Sequence, residues 1–135
     1  MKKSYDEQYY KNLIDRRSET YNEMSRAFNI ARDFIIKKKL IITGGMAIDY
    51  ALRLKGRKLY DDDQLPDYDV YSPNHAKDSY EIGSILCKKK FTNVSCIPAL
   101  HNTTMAVRVD YEGVLDITYC PENIYKKIPT LTYNG

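Results

Sequence analysis

The chain has 135 residues, 43% of them hydrophobic and 29% charged, which suits one folded domain and excludes a disordered, collagen-like or low-complexity chain. Its net charge of +3 divides unevenly, with 14 Lys and Arg against 7 Asp and Glu in residues 1–60, and 7 against 11 in residues 61–135. A basic half suits a polyanion and an acidic half suits a cation or a basic partner. No run approaches the roughly 18 apolar residues of a membrane span, so no membrane partner is expected. Residues 1–7 lack the apolar segment of a secretory signal. Cys87, Cys96 and Cys120 are few and widely spaced, as suits reduced thiols. A soluble, intracellular domain is the expectation.

In chain order, residues 5–37 read as helix. Ile14, Tyr21, Phe28 and Ile35 interleave with Tyr10, Arg17, Met24 and Ala31 at the spacing of one apolar face, broken only by Arg17. A break near Arg17-Ser18, with Ser18 as N-cap, would divide the segment into two helices. Such a stripe is expected to be core, although dimerisation through it is an alternative. Leu40-Ile41-Ile42-Thr43 has the pattern of a buried strand, ended by Gly44-Gly45, and Met46 to Leu54 reads as the helix that follows. Residues 55–66 form a polar loop. Tyr68, Val70 and Tyr71 mark a second strand closed by Ser72-Pro73-Asn74, and Ala76 to Lys90 reads as helix with Tyr80, Ile82, Ile85 and Leu86 apolar. Strands are expected near 91–98, 104–111 and 114–119, the last two joined by a hairpin at Glu112-Gly113. Pro121 fits the first turn of a short helix ending near Ile128. Helices interleaved with strands and followed by a meander predict an α+β domain with a mixed sheet, residues 38–135, behind an N-terminal helical segment, residues 1–37.

Three acidic residues stand in strand contexts. Asp67 and Asp69 flank Tyr68, and side chains at i and i+2 share one face about 6.6–6.8 Å apart. Asp116 lies within Val114-Leu115-Asp116-Ile117, where a carboxylate is costly unless something neutralises it. Three carboxylates on one face repel and raise one another's pKa. Divalent cations relieve that conflict, and an oxygen-only ligand set suits Mg²⁺ or Mn²⁺, with room for two ions about 3.5–4 Å apart. Upstream, Gly44-Gly45 sits between a strand and the helix that Met46 opens, where bare amides and the helix dipole can hold phosphates. Gly44, Gly45 and Met46 are therefore the candidate nucleotide-binding residues. Together these features describe a site for a nucleoside triphosphate with its metal ions.

Rival motifs fail. No Gly-x-x-x-x-Gly-Lys-Ser/Thr loop occurs, and a calcium loop starting at Asp61 would need Gly at Pro66 and Glu at Ser72. His75 and His101 lack metal-ligand spacing with the cysteines. The runs Lys37-Lys38-Lys39 and Lys88-Lys89-Lys90 could attract RNA, but both fall where helices should stop and read as solvated helix ends.

Residues 40–48 (Leu-Ile-Ile-Thr-Gly-Gly-Met-Ala-Ile) and 65–73 (Leu-Pro-Asp-Tyr-Asp-Val-Tyr-Ser-Pro) resemble the nucleotidyltransferase superfamily of DNA polymerase β. The resemblance is strongest to the poly(A) polymerase catalytic subunits of large nucleocytoplasmic, mimivirus-like DNA viruses, and runs from about residue 37 through Asp116. It implies a polymerase β-like palm, with Asp67 and Asp69 as metal ligands, Asp116 as the third carboxylate and Gly44-Gly45 as the phosphate turn. The implied reaction is attack of an RNA 3′-hydroxyl on the α-phosphate of ATP with two Mg²⁺ or Mn²⁺ ions, in host cytoplasm, viral factory or virion. A homodimer or an accessory subunit would be a further partner. Related enzymes acting on tRNA, a small molecule or a protein, or a noncatalytic RNA-binding scaffold, are the alternatives. The sequence also departs from the superfamily pattern. Gly45 replaces a serine that often touches the phosphates, so backbone amides must make that contact. Residues 46–66 form a longer link than usual, and the end at Gly135 suggests an amino-terminal fragment or a minimal palm.

Overall fold

A computed structural model describes residues 7–100 and 103–133. The N-terminal stripe folds as a single helix, α1 (Glu7–Lys38). It runs unbroken through Arg17 and Ser18, so the expected division into two helices does not occur. Arginine is a good helix former and one serine costs only a fraction of a kcal/mol, which cannot stop a helix whose far half is fixed by packing. That half buries Ala27, Phe28, Ala31, Phe34 and Ile35, as a core stripe should. Tyr21 is exposed, and its hydroxyl donates to the Asp63 carbonyl at 2.8 Å. Tyr5, His101 and the side chains of Tyr10, Ile14, Arg17 and Ser18 lie outside the described residues.

The remaining elements are β1 (Ile41–Thr43), α2 (Gly44–Arg53), β2 (Tyr68–Ser72), α3 (His75–Lys88), β3 (Ser95–Pro98), β4 (Thr104–Val109), β5 (Glu112–Tyr119) and α4 (Glu122–Tyr125). The strands form one mixed sheet in the order β1-β2-β5-β4-β3, in which only β2 and β5 run parallel. A parallel pair needs a long crossover, and α3, β3 and β4 supply it. This is the expected α+β domain with a mixed sheet and flanking helices.

Register decides what each face carries. Tyr68 pairs with Leu115, Asp69 with Asp116 and Val70 with Ile117, while Val107 on β4 also pairs with Leu115. Because side chains alternate, Tyr68, Val70, Leu115, Ile117 and Val107 share one face, and they are buried in one cluster with Phe28, Ile35, Ile82 and Leu86 of α1 and α3. The same alternation sends Asp69 and Asp116 to the other face.

Three local expectations need correction. The hairpin between β4 and β5 turns on Asp110-Tyr111, both at positive φ (48° and 69°), and Glu112 and Gly113 belong to β5. Asp110 is held there by hydrogen bonds from Thr92 Oγ1 and Asn93 Nδ2 to its carboxylate. Two consecutive positive φ values match the twist of the flanking strands, and Asp tolerates them better than most residues. The last helix ends at Tyr125 instead of Ile128, with Pro121 as its N-cap and not in its first turn. In α3, Tyr80 is exposed although its spacing placed it with Ile82 and Leu86, which are fully buried. Both lysine runs close helices, with Lys39 and Lys90 in the left-handed region just past α1 and α3. No described helix is long and apolar enough to cross a membrane.

Candidate active site

Asp67 precedes β2, Asp69 lies within it, and Asp116 lies beside Asp69 on the parallel neighbour β5. One carboxylate oxygen from each lies within 4.8 Å of the others. A parallel pair in this register is what makes the cluster, since a slip of one residue would send Asp116 to the apolar face. Burial pushes the Asp116 carboxyl up to about 6, aided by the charges of Asp67 and Asp69 and a hydrogen bond with Asp69, against the pull of Arg108. Burial and the Asp67 charge also raise Asp69, opposed by its hydrogen bond with Asp116. Burial and the neighbouring charges both work against ionisation of these acids, a conflict that a bound cation would relieve. Three hard oxygen donors at this separation fit a divalent ion such as Mg²⁺ or Mn²⁺.

The glycine turn meets this cluster directly. Gly44 follows β1 at φ +68°, a conformation that favours glycine, and a Cβ there would stand 2.8 Å from Asp69 Oδ2. Thr43, at the N-cap of α2, makes no capping hydrogen bond with its side chain, and the first turn of α2 holds no acidic residue. The leading amides of α2 therefore remain free of side-chain caps, beside the carboxylates, in the arrangement that binds anions. Met46 buries its side chain in the core, so only its backbone can serve a ligand.

A second set of residues escaped the sequence reading. On α2, Asp49 is 2% exposed and receives the amides of Leu59 and Tyr60 at 2.8 and 3.0 Å and Arg53 Nε at 2.7 Å. Arg53 also donates to the Tyr60 carbonyl at 3.0 Å and to Asp62 at 2.9 Å. Burial works to raise the Asp49 carboxyl, but the hydrogen bonds from Tyr60, Arg53 and Leu59 outweigh it and hold it below the usual carboxylate range. The polar loop is thereby fastened to α2. The only sequence signal was the i, i+4 pair Asp49 and Arg53, which is common on solvated helices. Arg108 is the other residue missed, a cation close enough to act on Asp116. Cys87, Cys96 and Cys120 are free thiols, and His75 packs against Tyr119 with ring centroids 5.4 Å apart.

Residues 29–135 match the family model of the poly(A) polymerase catalytic subunit. Over 135 residues the chain is 45% identical to a protein of African swine fever virus (strain Badajoz 1971 Vero-adapted) named as a poly(A) polymerase catalytic subunit. That match covers 100% of this chain and 28% of the viral protein. A protein of Acanthamoeba polyphaga mimivirus with the same name is 29% identical over 118 residues, covering 86% of this chain and 20% of its own length. The chain thus spans less than a third of the relatives it matches. The crystal structure of the Megavirus polyadenylate synthase superposes with a TM-score of 0.81 at 24% identity, over 99% of this chain and 30% of that one, which fixes the fold.

Proposed function

Because this chain belongs to the poly(A) polymerase catalytic subunit family, we propose that it is the nucleotidyl-transfer palm of a polynucleotide adenylyltransferase, adding AMP from ATP to RNA 3′ ends without a template. The observation that carries the reading is the convergence of Asp67, Asp69 and Asp116 within 4.8 Å, beside the uncapped start of α2.

Asp67, Asp69 and Asp116 are the ligands for two divalent ions, Mg²⁺ or Mn²⁺. Bound there, the ions supply charge neutralisation at the triphosphate and a lowered pKa at the RNA 3′-hydroxyl. The amides of Gly44, Gly45 and Met46 hold phosphate oxygens at the positive end of the α2 dipole. Asp69, close against Gly44, sets the carboxylates directly beside that turn, so that the ligands of metal and of phosphate are neighbours. Catalysis is then chiefly positioning and electrostatic preorganisation. ATP and an RNA 3′ end are the substrates, a second copy or an accessory subunit is a further partner, and host cytoplasm, viral factory or virion is the setting.

The test is incorporation of labelled ATP onto an RNA primer by the full-length protein with Mg²⁺ or Mn²⁺. Asp67→Ala and Asp116→Ala should each lower the rate by at least about a thousandfold. Tailing that survives either change would refute the assignment, and a preference for tRNA, a small molecule or a protein acceptor would redirect it to a related transferase.

A further inference from the structure

Resting on the nucleotide site just proposed, we infer that Tyr60 is a triphosphate-binding residue, delivering a hydroxyl to the phosphate turn from the loop that follows α2. Where Gly44 faces Asp69, Gly45 faces Tyr60. A Cβ built on Gly45 would collide with the Tyr60 hydroxyl oxygen and come within 3.2 Å of its Cζ. The hydroxyl therefore stands where a side chain at position 45 would begin, at the uncapped first turn of α2. The described hydrogen bonds of Tyr60 are all made by its backbone, so its phenol is left free to donate.

This placement is built, not incidental. Gly45, Asp49 and Arg53 recur every four residues and so lie along one side of α2. The lower two clamp the main chain at Tyr60 on both its amide and its carbonyl. Asp49 is almost fully buried, with its carboxylate accepting from Leu59, Tyr60 and Arg53, a costly arrangement to keep for a loop of no consequence. Fixing both backbone groups of one residue fixes where its side chain starts, and here it ends on Gly45. A neutral hydroxyl beside bare amides adds a donor for a phosphate oxygen without adding charge next to the carboxylates. Asp49 and Arg53 are positioning residues that act through Tyr60.

The test is calorimetric binding of Mg²⁺–ATP and of Mg²⁺–inorganic triphosphate to the full-length protein. Tyr60→Phe keeps the ring and removes the hydroxyl. Both affinities should fall by about tenfold or more, as for a hydrogen bond to a charged group, with the melting temperature and nucleotide-free Mg²⁺ binding unchanged. In a Tyr60→Ala protein, where the space beside position 45 is open, Gly45→Ser should recover most of the loss by returning a hydroxyl to the same place. Equal triphosphate affinity for wild type and Tyr60→Phe, or no recovery from Gly45→Ser, would overturn the role of Tyr60 and leave the site reading intact. Wild-type protein that binds no Mg²⁺–ATP, or binding that survives Asp69→Ala, would overturn the site reading and this inference with it.

Discussion

Asp116 stands between two demands. To hold the cation proposed for this site it must be charged, yet burial and two neighbouring carboxylates push its carboxyl from 3.8 up to about 6. In the metal-free protein the folded state keeps this proton to a higher pH than the unfolded chain does. Its contribution to stability is therefore greatest below pH 4 and is lost as pH rises through about 6. Asp116→Asn removes that loss. The metal-free variant should melt higher than wild type at pH 7.5, by on the order of 1 kcal/mol once solvent screening of this half-buried group is allowed for. Differential scanning calorimetry checks it, and equal or lower stability of the variant would show that folding does not raise the Asp116 carboxyl. Adding Mg²⁺ at pH 7.5 should raise the wild-type melting temperature but not that of Asp116→Asn. For wild type the same addition should do less at pH 5, where a proton holds the site. A residue that lowers stability for the sake of a ligand is the usual signature of a functional site.

At the scale of elements, the ends carry the information that residue patterns conceal. Lys90 sits at φ 68° just past α3, where the Phe91 amide reaches back to the Leu86 carbonyl at 3.1 Å. That position favours glycine, so Lys90→Gly should stabilise the fold by about 0.5–1 kcal/mol in urea unfolding. If this lysine run only finishes a helix, RNA affinity and its salt slope should stay unchanged after the substitution. Gly44→Ala has the opposite outcome. Its positive φ costs roughly 1–2 kcal/mol, and the new methyl, 2.8 Å from Asp69 Oδ2, should displace that proposed ligand and weaken Mg²⁺ binding. Loss of stability without loss of Mg²⁺ affinity would separate the turn from the proposed metal site. The strands and the three aspartates were legible because alternation and an acid in an apolar run are local signals. The hairpin turn was not, because Asp110 is fixed by Thr92 and Asn93, 18 and 17 residues away. Nor was the Tyr60 loop, whose anchors face it only once α2 has formed.

Across the whole molecule, the sheet separates work between its faces, and α1 shows how one serves the other. The C-terminal half of α1 is not an appendage to the sheet. Phe28 is 7% exposed and its ring lies 6.2 Å from that of Tyr68, the residue between Asp67 and Asp69. Tyr68 in turn is buried, and its hydroxyl meets that of Tyr50 on α2 at 3.3 Å. Phe28 thus packs beneath the strand whose upper face carries the acids. Phe28→Ala should cost about 3–5 kcal/mol, the loss of a buried aromatic plus the cavity it leaves. Ile36→Ala, at a residue 62% exposed on the same helix, should stay within about 0.5 kcal/mol. Since α1 supports β2 from below, Mg²⁺ affinity should fall with Phe28→Ala even where the protein remains folded, because Asp67 and Asp69 lose the fixed backbone that brings them together. Urea unfolding and Mg²⁺ titration of both variants decide the matter. Equal effects at the two positions would mean that α1 packs as a loose arm, and an unaltered Mg²⁺ affinity in folded Phe28→Ala protein would mean that β2 holds its carboxylates without help from the helix below.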